Sequence, residues 1–554
     1  MLKLNRHDAG CITDEVIEAP LALRSRPKLC KRTFIVKRAG VVLAELVFAA
    51  CLAVSVGYYA AYGQHNLDSD ISSEFVLADL LNEEGRLITD SWYYSTEIRV
   101  VSPVPVYQLM LRLFGSWHVA RTVSIAVLLL GVAASLLYLA RGAGCSMTAA
   151  LLCAGALVLP ISAYQSFTLV YGGFYTVWVM LTFVQLGLVL RMDRKRLREP
   201  VLLALLGFLG GLGGVRMLML CAAPLLAACA VLFFLDARRC GSLREAVALP
   251  AARIALGGVL LAAATLAGYA VNEGVLAQQY AFTRYDETTL LSLTPETFVR
   301  QLLYLVSFLG YRSGVLLLSR EGLFSVMALL LPALGAAAMV ALLRAGLSAR
   351  ERALALFMPA ALLSGMLINA LTLSPDQGEA SIYCISYYMP AALLLVFALF
   401  WALDRLAPRL RALCAAPMLA LVAVFLAGNL VYREWDMRTW PTELEDVAQI
   451  LTEEGATQGY ATFWNANVLT ELTDGRIEVF TVEDWDSGDM DTWLQRTDHL
   501  ERTPEGRVFA IFTTGDLYDG TPGCREDHLI YCSDELAVVL YDSDEEFQAA
   551  RWGE

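Results

Sequence analysis

Charge is scarce in this 554-residue chain: 18% of its residues are Asp, Glu, Lys or Arg, against 57% hydrophobic. So little charge cannot solvate a surface of this size, which excludes a purely soluble protein. Basic residues are the rarer kind, 42 Lys and Arg against 55 Asp and Glu, for a net charge of −13. That balance excludes nucleic acid as a partner, because phosphate backbones select basic surfaces. There is no CxxC, and cysteines such as Cys51, Cys153, Cys221 and Cys229 sit in apolar runs as small hydrophobes, so no zinc or redox centre is expected. There is no P-loop and no GxGxxG after a strand, so no nucleotide-binding fold is expected. A GxSxG elbow is also missing, which removes the signal of a serine triad. No internal repeat or low-complexity tract is present. A cleavable signal peptide is not expected either. Residues 1–38 are polar and mixed in charge, and read as a cytoplasmic N-terminal tail.

What fills the chain instead is long apolar runs. Candidate spans are 39–63, 119–140, 145–163, 168–191, 199–213, 216–235, 252–271, 322–343, 353–373, 386–404 and 413–432. That is about eleven. The weakest is 199–213, short and Gly-rich (GFLGGLGG), which also reads as part of a tight hairpin with the next run. Basic clusters set the orientation, since Lys and Arg stay cytoplasmic. Arg24 to Arg38, then 191–198, 236–245, 344–352 and 404–411, all fall on one side if the N-terminus is inside and the spans number eleven. The opposite loops, 64–102, 164–168, 272–320, 374–385 and 433–554, then lie outside. Residues 103–118 and 297–309 read as interfacial helices.

From about Trp435 the composition becomes that of a soluble domain. Residues 441–455 predict a helix with Thr442 and Glu445 as capping box and Gly455 as its stop. Residues 459–464, 477–482, 507–513 and 535–541 predict strands. The expectation is a mainly α chain, a polytopic helical membrane domain over 39–432 with a small extracytoplasmic α/β domain over 433–554. Cys524 and Cys532 bound a loop in that domain; a disulfide is expected there, two free thiols being the alternative.

The chemistry concentrates in 64–102. Asp68, Asp70 and Glu74 follow the first span directly, and an apolar helix pattern (Phe75, Leu77, Leu80, Leu81) follows them, with Ser72 and Ser73 as caps. A carboxylate held at the membrane surface can take a proton from an acceptor hydroxyl. Asp70 is the expected base, with Asp68 and Glu74 supporting it. Arg216, after the glycine-rich run, suits a phosphodiester, or else only snorkels to the interface. Arg284 and Arg312 in 272–320 are further phosphate candidates. Trp92, Tyr93, Glu97 and Arg99 mix rings with charges as sugar sites do. Tyr387 and Tyr388, beside Tyr383, are similar, and also fit an aromatic belt.

These features together resemble the GT-C superfamily of membrane glycosyltransferases. The superfamily has many spans, an Asp in the first external loop and often a soluble external C-terminal domain. Its branch with the aminoarabinose and protein mannosyl transferases carries DE-A-x-Y-x-x-x-A after the first span. Aligning Asp70 on that Asp puts Ala78 at the later Ala, Leu77 and Leu81 at apolar positions, Glu74 in place of Tyr and Ile71 in place of an acid. GFLGGLGGVRM resembles the family's GLAxGLAxLTKG, with Arg216 in place of the lipid-phosphate Lys. SYYMP resembles RYxxP, with Ser386 in place of Arg. The second-loop acid is absent, 164–168 reading YQSFT.

The resemblance implies a hexosyl- or pentosyltransferase of a bacterial cell membrane. It would move a sugar, with inversion, from a polyprenyl-phosphate donor to a glycan, lipid or protein acceptor. No cofactor is required by the sequence, and a divalent metal is compatible with the resemblance. The rival expectation is a transporter or flippase of lipid-linked glycans, which would show symmetric halves and charges in mid-span. The sequence shows neither.

Overall fold

A computed structural model describes residues 29–95, 98, 100–171, 173–192, 197–238, 240, 242–282, 294–372, 387–406, 411–436 and 439–552. Among these, seven helices are long and apolar enough to cross a membrane. They are Arg38–Asn66, Trp117–Gly142, Leu218–Ala237, Pro250–Gln278, Arg320–Arg344, Ala349–Asn369 and Ala416–Arg433. The chain is a polytopic membrane protein, and each of these helices falls where the sequence predicts a span. The other four expected spans take different forms. The run at 145–163 is a helix of 11 residues, Met147–Leu157. The run at 168–191 is a pair bent by 81° between Ala163–Tyr171 and Tyr175–Arg191. The runs at 199–213 and 386–404 become Arg198–Leu212, of 15 residues, and Met389–Leu406, of 18.

The glycine run inside Arg198–Leu212 is a packing surface. A β-carbon at Gly211 would overlap the Thr265 carbonyl oxygen, and one at Gly268 would overlap that of Phe208. Small residues let two backbones approach this closely in a membrane. The helices Arg198–Leu212 and Pro250–Gly274 therefore cross backbone to backbone.

At the C-terminal end the chain forms a five-stranded sheet of β1 (Gln458–Thr462), β2 (Glu478–Val482), β3 (Val508–Thr513), β4 (Leu529–Cys532) and β5 (Leu536–Tyr541). The order is β2-β1-β3-β5-β4. Strand β1 is parallel to β2 and β3, whereas β5 is antiparallel to β3 and β4. Alternate residues bury on opposite faces. Val479, Phe509, Ile511 and Val538 pack with Val447 and Leu451 of the helix Glu443–Glu454. Phe480, Ala510, Phe512 and Tyr541 pack with Trp485 and Phe547 on the other face. The Glu443–Glu454 helix has the Thr442/Glu445 capping box and ends on Gly455 at φ 70°, as its sequence predicts.

Two elements of this domain go beyond the sequence expectation. β4 is a short edge strand. The residues after β1 leave the sheet at once and form the helix Phe463–Leu472, the crossover that returns the chain to β2. Cys524 and Cys532 are both free, the first buried and the second at the exposed end of β4, with no disulfide between them.

Candidate functional site

Residues 69–84 form a helix just beyond the first membrane helix. Its cap is Asp68, not Ser72 or Ser73. The Asp68 backbone is extended (φ −141°, ψ 148°), and its carboxylate accepts the Asp70 N–H at 2.9 Å. Ser72 is buried inside the helix, and the Ser73 hydroxyl donates to the Asp70 carbonyl at 2.8 Å. Gly85 ends the helix at φ 66°. Asp70 thus sits in the first turn, where the helix dipole favours an anion, and is 7% exposed. Burial and the neighbouring Asp70 charge push the Asp68 carboxyl up to about 6, against hydrogen bonds from the N–H groups of Asp70 and Ile71.

Helical spacing puts Asp70, Glu74, Leu77 and Leu81 on one face. Along that face beyond Asp70, which does not line it, lies a cavity of about 170 Å³. Ser73, Glu74, Leu77 and Leu81 form one wall, and Trp92, Tyr94, Ile98 and Val104 lie opposite. Glu74 is a buried carboxylate in a mostly apolar enclosure. The indole N–H of Trp92 is buried in the same surroundings without a hydrogen-bond partner. The opposite helix face, Val76, Asp79, Leu80 and Glu83, borders a more polar cleft of about 270 Å³. Its other side is Gln458, Glu478, Arg496 and His499 of the sheet domain.

The sheet domain grips this whole segment. Ser69 Oγ donates to the Phe463 carbonyl. His65 and Glu445 meet at 2.6 Å. The Trp117 N–H donates to Asp474 Oδ1 at 2.6 Å. Trp92 pairs with Arg496 as an antiparallel bridge, the Tyr93 N–H donates to the Gln495 carbonyl at 2.8 Å, and Arg496 reaches Glu83 at 3.2 Å. On its other side, the Tyr94 N–H donates to the Ala281 carbonyl at 2.9 Å.

Sequence reasoning missed the group that ties these pieces together. Arg121, in the helix Trp117–Gly142, is 1% exposed. Its Nε and Nη2 hold both oxygens of Glu471 in the helix Phe463–Leu472, the Nη2–Oε2 distance being 2.6 Å. Nη2 also reaches the Ile71 carbonyl at 3.2 Å, and Nη1 the Tyr171 carbonyl at 3.4 Å. The Phe75 ring lies 3.9 Å from the guanidinium carbon. The signal was available: a lone Arg inside an apolar span is expensive and marks a purpose.

The remaining expected residues are spread more widely. Arg216 is the first residue of the helical segment that follows Gly214 and Val215, and lies 4.9 Å over the Trp178 ring. Arg312 lines a small crevice with Glu321, Phe324 and Tyr432, and its N–H donates to Ser325 Oγ at 3.1 Å. Neither Arg lines the Glu74 cavity. Tyr388 is fully buried, and its hydroxyl donates to Gln301 of the helix Pro295–Phe308 at 2.8 Å. It therefore joins two helices rather than facing an open site; Tyr387 beside it is partly exposed. Glu97, Arg99, Arg284, Tyr383 and Ser386 lie outside the described residues. Among the described residues no three His, Cys, Asp or Glu side chains converge as a metal site requires.

No protein-family model matches the chain. No curated protein matches its sequence. Solved structures do. ArnT from Cupriavidus metallidurans bound to undecaprenyl phosphate superposes with a TM-score of 0.57 at 14% identity, over 90% of this chain and 97% of that one. The same protein in its apo state gives 0.55 at 14% identity, over 89% and 97%. An Archaeoglobus fulgidus oligosaccharyltransferase gives 0.47 at 13% identity, over 87% and 70%, too low to support a shared fold by itself. The chain thus has the fold of ArnT along nearly the whole length of both proteins, which is the fold that the GT-C resemblance led one to expect.

Proposed function

We propose that this protein is a glycosyltransferase that moves a sugar from a polyprenyl-phosphate donor to an acceptor hydroxyl on the outer face of the membrane. The observation that carries the reading is Asp70, a buried carboxylate in the first turn of a helix that lines a partly open cavity one turn further on, at Glu74, on a GT-C fold. The bound undecaprenyl phosphate of the similar ArnT structure supports a lipid-linked donor.

In the proposed mechanism Asp70 takes the proton of the acceptor hydroxyl. The hydroxyl oxygen bonds to the anomeric carbon from the side opposite the phosphate. The carbon–oxygen bond to phosphate breaks, and the polyprenyl phosphate departs with its electron pair, so the anomeric centre inverts. Asp68 holds the helix start that carries Asp70, and Glu74 faces the bound sugar. Arg216, with Arg312 and Arg284, is assigned to the lipid phosphate, where fixed cations stabilise the charge that develops on leaving. Trp92 and Tyr93, with Glu97 and Arg99, are assigned to the sugar or acceptor. Tyr387 belongs to the same group, and Tyr388 supports it from within the helix packing. No step is assigned to a metal, because the described carboxylates do not form a ligand set for one. The acceptor is a glycan, lipid or protein hydroxyl.

The direct test incubates purified protein with a radiolabelled undecaprenyl-phosphate sugar and membrane extract, and follows release of undecaprenyl phosphate. Release coupled to label in an acceptor is expected. Binding of the lipid with no release under any acceptor would instead favour a carrier of lipid-linked glycans.

A further inference from the structure

We infer that Arg121 and Glu471 are positioning residues that hold the start of the Asp70 helix, so that the C-terminal domain sets the geometry of the base. The inference rests on the proposed function for its consequence in catalysis, and on geometry alone for the positioning itself.

Glu471 lies 350 residues beyond Arg121 in sequence, and both side chains are buried, at 1% and 4% exposure. Taking two charges out of water is costly, so such a pair rarely repays itself in stability. Two well-packed apolar residues would serve folding as well. What the pair adds is direction. Glu471 fixes the guanidinium in one plane through two parallel bonds. The fixed plane then presents Nη2 to the Ile71 carbonyl and Nη1 to the Tyr171 carbonyl. Ile71 is the residue after Asp70. Phe75, one turn further along, packs its ring under the same guanidinium.

A second tie acts on the other side of Asp70. The Ser69 hydroxyl donates to the Phe463 carbonyl, which opens the helix that ends beside Glu471. Asp70 is thus bracketed at Ser69 and Ile71, and both ties lead to the helix Phe463–Leu472. A displacement of that helix moves the carboxylate. Misplacing a reacting group by about 1 Å costs about 100-fold in rate.

The experiment uses the full-length protein in three forms, Glu471→Gln, Arg121→Met and the double variant. Each single variant leaves one buried polar partner uncompensated and is expected to lower the thermal midpoint. The double variant removes both charges and is expected to recover much of that loss. Its kcat is nonetheless expected to fall about 100-fold, with KM for the lipid donor within about twofold of wild type, because the ties to Ile71 and Tyr171 are gone.

Amide exchange of residues 68–75 gives a readout that needs no activity. It is expected to quicken about tenfold in the double variant, as local opening of the helix start becomes easier. Wild-type kcat or unchanged exchange in the double variant overturns the inference. If exchange quickens as expected while wild-type protein transfers no sugar from a polyprenyl phosphate, the positioning stands and the proposed function falls.

Discussion

At the scale of single residues, Asp68 caps the helix that carries Asp70, a role set by the extended backbone at that position and not visible in a sequence that shows only a second carboxylate. That role leads to a pH prediction. Burial and Asp70 raise the Asp68 carboxyl to about 6, above its ordinary 3.8, so the folded protein holds this proton more tightly than the unfolded chain does. The contribution is fully favourable below about pH 4 and is lost as the pH rises to about 6. Asp68→Asn keeps a capping oxygen and removes the charge. It is expected to raise stability at pH 7 by about 1–3 kcal/mol, an advantage that vanishes below pH 4 in denaturant titrations. If transfer needs Asp68 ionised beside Asp70, the wild-type rate climbs through about pH 6 and the variant lacks that limb. Arg216 is tested separately. Arg216→Ala is expected to weaken binding of undecaprenyl phosphate about tenfold by calorimetry, the loss of one charged hydrogen bond.

At the scale of elements, the apolar runs located the membrane helices, and period-two patterns located four of the five strands. β4 was missed because it is short and lies at the sheet edge. The helix Phe463–Leu472 was missed because FWNANVLTEL follows a strand with no Gly or Pro between, and its opening aromatics read as more strand. That omission hid Glu471. The run GFLGGLGG suggested a tight hairpin because it is short, rich in glycine and nearly continuous with the next run. Its actual constraint is a neighbouring backbone, visible only after Pro250–Gly274 is placed. Gly211→Val and Gly268→Val are each expected to cost at least about 2–3 kcal/mol and to lower the yield of folded protein sharply. Gly85→Ala instead meets open space at a left-handed φ of 66° and is expected to cost only about 1 kcal/mol.

At the scale of the whole molecule, the division at residue 433 separates two compositions but not two independent bodies. His65, Ser69, Glu83, Ser91, Tyr93, Trp117 and Arg121 all bond to residues beyond 433. No local pattern announces such long-range pairing. Near this interface Glu478 is held at about 2: burial opposes ionisation, and hydrogen bonds from His499 and Arg502 outweigh it. His499 is itself lowered by burial, against its bond to Glu478. A depressed carboxylate stabilises the fold above about pH 4.5 and loses that contribution as the pH falls toward 2. A depressed imidazole likewise loses its contribution as the pH falls below about 6.5. The sheet domain is therefore expected to loosen on acidification, seen as a falling urea midpoint of Trp485 fluorescence, and Glu478→Gln is expected to flatten that slope.

The central claim is that Asp70 is the base of a sugar transfer. Its most direct test is the single-turnover rate of sugar release from an undecaprenyl-phosphate donor in Asp70→Asn against wild type, at matched folded protein and matched lipid binding. The expected result is unchanged donor binding with a rate lowered about 100- to 10,000-fold. A variant that transfers sugar at the wild-type rate contradicts the account.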